Sequence, residues 1–65
     1  MQKYFLAKTD RQLGTCLRML LAAGIADSEL KVVENEKEKL EYHICIEADD
    51  ATFATLKKRY ETLIS

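Results

Sequence analysis

The chain has 65 residues, with ten Lys or Arg against eleven Asp or Glu, one histidine, two cysteines, two glycines and no proline. A chain this short forms at most one domain and buries only about 60% of the surface its unfolded form exposes, while 48% hydrophobic and 32% charged residues at a near-zero net charge argue against a disordered tail. No apolar run approaches the roughly 18 residues needed to cross a bilayer, and MQKYFLAKTD lacks a signal-peptide core; the expectation is one folded domain over residues 1–65 in the cytoplasm, with both cysteines as free thiols.

The first predicted element is a strand over residues 2–8, with β-prone Tyr4 and Phe5 and apolar residues on both faces. It ends at a helix start signal, in which Thr9 is the N-cap, Gln12 completes a capping-box pattern and Asp10 suits the positive end of the helix dipole. Leu13, Cys16, Leu17, Leu20, Leu21 and Gly24 then form one apolar stripe, predicting a helix over 10–23 with Gly24 as a left-handed cap, Ile25 as its apolar contact and Met19 at the edge of the core. Gly14 inside that helix costs roughly 1 kcal/mol relative to alanine, so a close contact is expected there.

ELKVVE at 29–34 is a short β-branched run, LEYHICIEA at 40–48 alternates strictly, and the charged NEKEK between them predicts a hairpin. Asp49 or Asp50 caps a second helix, in which Phe53, Leu56, Tyr60, Leu63 and Ile64 share one side. The order β-α-β-β-α with a right-handed first crossover predicts an α+β domain: a three-stranded sheet ordered 1-3-2 with two helices on one face. This arrangement resembles a ferredoxin-like fold lacking its fourth strand, and it leaves the edge of strand 1, at Tyr4, Phe5 and Leu6, open for pairing with a partner or a second copy, unless Lys3 and Lys8 shield it.

The most chemically suggestive cluster is Glu41, His43, Cys45 and Glu47, which alternation puts on one face of the central strand. One histidine and one cysteine are too few for a zinc site, and the flanking glutamates disfavour a thiolate, so neither metal binding nor cysteine catalysis is expected. The segment AKTDRQ has neither the paired cysteines of copper chaperones nor the glycine-rich phosphate loop of acylphosphatases. Neither sheet face is both basic and aromatic, as an RNA-recognition surface would be. No enzyme activity, cofactor, direct nucleic-acid contact or membrane contact is expected.

Asp10, Gly14 and Leu17, in the pattern D-x-x-x-G-x-x-L, followed by AAGI at 22–25, resemble the first loop and helix of ligand-sensing ACT-like domains. That resemblance implies a homodimeric module sensing a small molecule. The charge distribution favours a different reading, because residues 34–50 carry seven Asp or Glu against two Lys while both flanks are net positive. Glu34, Glu36, Glu38, Glu41, Glu47, Asp49 and Asp50 are candidates for imitating a phosphate backbone in the basic groove of a nucleic-acid-handling protein. In size and composition the chain is similar to phage-encoded inhibitors such as anti-CRISPR proteins. The expected function is therefore a non-catalytic, protein-binding inhibitor or regulator, contacting its partner through these carboxylates or through Tyr4, Leu6 and His43, with a homodimer through strand 1 as a further option.

Overall fold

The computed structural model describes all residues, Met1–Ser65. Its elements are β1 (Gln2–Ala7), α1 (Asp10–Ala22), β2 (Glu29–Glu34), β3 (Leu40–Glu47) and α2 (Asp50–Ile64). The sheet order is β1-β3-β2, and both outer strands run antiparallel to β3. This is the expected α+β arrangement. β3 takes the centre because its strict alternation serves two environments: Ile44 and Ile46 are buried on the helix side, while Glu41, His43 and Glu47 remain at least partly accessible on the other.

Each junction is closed by local hydrogen bonds. The Thr9 hydroxyl accepts from the Gln12 amide at 3.1 Å, whereas the Gln12 side chain accepts from the Lys8 amide at 2.9 Å, one residue earlier than in a standard capping box. β1 ends at Ala7 rather than at Lys8. At the other end of α1, the amide of Ile25 donates to the Leu20 carbonyl at 2.9 Å and that of Gly24 to Leu21 at 3.0 Å, with Gly24 at φ +81°. These are the paired bonds of a Schellman cap, and Ile25 packs against the core as such a cap favours. Asp49, not Asp50, caps α2 by accepting from the Thr52 amide at 2.7 Å. The hairpin is organised by Asn35, whose side-chain oxygen accepts from the amides of Lys37 and Lys39 while Glu38 adopts φ +60°.

The core is one cluster: Phe5, Ala7, Ile44 and Ile46 from the sheet, Cys16, Met19 and Leu20 from α1, and Leu56 and Tyr60 from α2. Only 10 of 65 residues are buried, so each large side chain, worth about 1.5–3 kcal/mol when fully buried, carries a considerable share of the stability. Met19 lies within this cluster. Leu13, Leu17, Phe53 and Ile64 pack against it partly buried, whereas Leu21 and Leu63 remain 67% and 54% exposed, because each sits at the margin of its helix stripe. Neither helix makes substantial contact with β2, none of whose residues is buried. No helix is long and apolar enough to cross a membrane.

The two glycines differ in what they do. A Cβ at Gly14 would meet only the Arg18 guanidinium, with Nη1 at 3.3 Å, so the expected close packing is absent and the flexible end of Arg18 is free to yield. Gly24 has open space around it, but its left-handed backbone strains any L side chain. Gly14→Ala should therefore stabilise the protein by about 0.5–1 kcal/mol and Gly24→Ala destabilise it by about 1–2 kcal/mol, read as urea midpoints moving in opposite directions.

Candidate functional site

The outer edge of β1 is where backbone, side chains and shape converge. The Ala48 amide donates to the Met1 carbonyl at 3.0 Å, and with Gln2 facing Glu47 in the register this fixes the alternation: Met1, Lys3, Phe5 and Ala7 turn their backbone groups to β3, and Gln2, Tyr4 and Leu6 turn theirs outward. One of these outward groups is satisfied within the chain. The Tyr60 hydroxyl reaches across from α2 and donates to the Leu6 carbonyl at 2.9 Å. No hydrogen bond within the chain reaches the outward groups of Gln2 and Tyr4 or the Leu6 amide.

A groove of about 780 Å³, the largest concavity on the chain, runs along this edge. Its wall on the uncovered sheet face is formed by Tyr4, Leu6, Glu41 and His43, and its wall on the helix side by Phe53, Lys57, Tyr60 and Ile64. Tyr4 and His43 stack across the two strands, with ring centroids 4.7 Å apart and planes at 19°. On the other wall Phe5 packs between Phe53, at 5.0 Å, and Tyr60, edge-on at 5.7 Å, which holds α2 beside the strand. Lys3 closes the groove's N-terminal end on the helix side: its ammonium pairs with Asp50 and lies 5.9 Å from the Phe53 ring centre. Of the two lysines expected to shield the edge, it is the one that lines the groove.

The candidate site residues separate into distinct places. Tyr4, Leu6, His43 and Glu41 meet at the groove. Glu34, Glu36 and Glu38 lie at the hairpin, whereas Glu47, Asp49 and Asp50 lie at the far end of β3, roughly 25 Å away for eight residues of strand. Four of the seven carboxylates already have partners: Glu41 accepts from the Asn35 side chain at 2.8 Å, Glu47 pairs with the N-terminal ammonium at 2.7 Å, Asp49 caps α2 and Asp50 holds Lys3. Phe53, Lys57, Tyr60 and Ile64 enter the site from α2. The spacing of Phe53, Tyr60 and Ile64 reads only as a core stripe, and no local signal tells that its margin, with Lys57, faces an open strand edge.

The remaining titratable groups are structural in their surroundings. Cys45 faces the uncovered side, yet it is buried between Tyr4 and Glu29, its neighbours in the register. Cys16 is fully buried in the core, and desolvation pushes its thiol up to about 11, which keeps it protonated and unreactive near neutral pH. No group of three or more His, Cys, Asp or Glu side chains is arranged to hold a metal ion. The Tyr42 hydroxyl donates to Asp10 at 2.6 Å, tying β3 to the first turn of α1; that bond, together with the charge of Asp10, raises the tyrosine's pKa.

Tyr60→Phe removes the one intramolecular donor to the β1 edge and should lower stability by about 1 kcal/mol in urea denaturation while keeping the ring packing on Phe5. The hydrogen bonds from Thr52 hold the Asp49 carboxyl below its ordinary value. Its contribution is therefore present above the unfolded-state pKa and is lost as pH falls through the lower folded-state value. Urea midpoints should decline below about pH 4, less steeply in Asp49→Asn, which keeps a capping oxygen but cannot titrate. Comparison with protein-family models, curated proteins and solved structures finds no match to this chain, so the reading of this edge rests on its geometry.

Proposed function

We propose that this chain is a non-catalytic protein-binding module that takes up an extended segment of a larger protein along the outer edge of β1. One observation carries the reading: unpaired backbone groups at Gln2, Tyr4 and Leu6 lie along the floor of a groove with apolar walls on both sides. A strand added to an open sheet edge gains affinity from main-chain hydrogen bonds and specificity from alternate side chains. Here one set of partner side chains rests on Tyr4, Leu6 and His43, and the alternate set against Phe53 and Ile64. Lys57, Glu41 and Glu61 give the rim mixed charge, which suits a segment with apolar residues at its centre and polar ones at its ends.

The bond from Tyr60 to the Leu6 carbonyl limits the free edge to a few residues, so recognition is of a short segment. Holding such a segment in a fixed extended form withdraws it from its own protein, which is an inhibitory or regulatory act. The carboxylates serve this role less well, because they are split between the two ends of β3 and four of them are engaged within the chain. A nucleic-acid-handling target remains compatible with edge binding, since the segment captured need not itself touch nucleic acid.

Panning a displayed library of random dodecapeptides against the immobilised protein tests the proposal. Enriched peptides should alternate apolar residues and should bind at least about tenfold more weakly to Gln2→Pro or Tyr4→Pro, since each proline removes an outward amide without breaking a bond to β3. Reversing Glu36 and Glu38 to lysine should leave that binding unchanged. Enrichment that survives both prolines and vanishes on reversal of Glu36, Glu38 and Glu41 would overturn the edge reading in favour of the hairpin carboxylates.

A further inference from the structure

The second open edge, that of β2, has a different character. The Asn35 amide bonds to the Lys39 carbonyl at 2.9 Å, and the register then turns the backbone groups of Glu29, Lys31 and Val33 to β3 and those of Leu30, Val32 and Glu34 outward. Nothing within the chain bonds to these outward groups. On the helix side, Leu30 and Val32 are 47% and 56% exposed, with Leu40 of β3 beside them at 59%, because neither helix extends over this part of the sheet. On the other face Glu29 and Lys31 are exposed, and neither takes part in either of the chain's two ion pairs.

We infer that two copies of this chain pair through β2 in an antiparallel register centred on Leu30. Charge complementarity selects this register. The tripeptide Glu29-Leu30-Lys31 is its own complement under a two-fold axis through Leu30: Glu29 of one copy faces Lys31 of the other, twice, on the uncovered face. The outward backbone of Leu30 makes the two of them a hydrogen-bonded pair, so each Glu-Lys couple occupies a non-hydrogen-bonded position, where facing side chains are closest. On the helix side Leu30 meets Leu30, and Val32, facing Ser28 of the other copy, lies diagonal to it, so the apolar surface at Leu30 and Val32 is covered while Leu40 lies beyond the contact.

The neighbouring registers are worse. One centred on Glu29 or on Lys31 sets that residue against its own copy, and one centred on Val32 sets Leu30 against Glu34. The β1 edge is a poorer candidate for self-pairing, since Tyr60 already occupies the Leu6 carbonyl. Pairing through β2 gives a continuous six-stranded sheet in the order β1-β3-β2-β2-β3-β1. Both β1 grooves then lie at its outer ends, so the dimer presents two binding edges facing away from each other.

Sedimentation equilibrium of the intact chain up to millimolar concentration, with charge-swap variants, tests the inference. The wild-type chain should dimerise. Lys31→Glu alone and Glu29→Lys alone should each weaken the dimer about tenfold or more by opposing like charges, and the double swap should restore it. An equimolar mixture of the two single variants should form a heterodimer tighter than either homodimer, because its charges again face opposites. All of these positions are exposed, so folding is retained, and circular dichroism checks this for each variant. A wild-type chain that stays monomeric throughout would sink the inference, as would a dimer indifferent to the swaps but lost in Gln2→Pro. Peptide capture at β1 is read separately, so either proposal can fail alone.

Discussion

The packing of Phe5 against Phe53 and Tyr60 is the contact on which the arrangement of this small protein turns. Phe5 projects from an edge strand, and its buried ring packs against Phe53 and Tyr60 of α2 within a core that α1 also lines. Once that helix is held there, its margin stands beside the open edge of β1 as a wall, and the Tyr60 hydroxyl comes within reach of the Leu6 carbonyl. The same aromatic contact thus closes the core, shapes the groove and sets how much of the edge stays unpaired.

The polar residues are used close to home. Thr9 and Asp49 cap the helices, Asn35 organises the hairpin and secures Glu41, Tyr42 ties β3 to the start of α1, and Asp50 steadies Lys3 beside Phe53. The caps and the hairpin bonds are local, whereas Tyr42–Asp10 and Asp50–Lys3 tie distant segments together, and all compensate for a core too small to hold the termini of every element by burial alone. They also explain why an acidic stretch in the sequence does not amount to an acidic face: in a strand of eight residues its two ends are far apart, and four of the carboxylates, Glu41, Glu47, Asp49 and Asp50, are occupied by neighbours within the chain.

The two sheet edges present complementary opportunities. β1 is flanked by a helix, carries aromatic and apolar side chains on both sides and has part of its backbone satisfied, which suits a short guest segment. β2 is flanked by no helix, has all its outward groups free and bears a charge pattern that matches itself, which suits a second copy. Edges left open in this way are ordinarily a hazard of aggregation. In the inferred pairing the mixed charge of β2 favours one register among several, and the bond from Tyr60 shortens the accessible part of β1.

Much of the architecture was legible in the residues taken one after another. Alternation over 40–48 marked the central strand, Thr9 with Gln12 and the pair Asp49 or Asp50 marked helix starts, and Gly24 followed by Ile25 marked a helix end, because each of these depends on bonds between residues a few positions apart. The strand order followed as well, from the right-handed crossover with the second strand of the hairpin filling the gap. What local pattern did not settle was where each helix stripe stops being core. Leu21 and Leu63 belong by spacing to apolar stripes yet face outward, Gly14 has no close neighbour to account for it, and Cys45 is covered although it faces away from the helices. Such outcomes depend on how far two helices reach across three strands, a property of the assembled layers. The sequence by itself determined the elements, their caps and their order, since local hydrogen bonds and periodicity decide those. Only the tertiary structure decided that α2 would border β1 and leave β2 bare, because that turns on which side chains fill the space between helix and sheet.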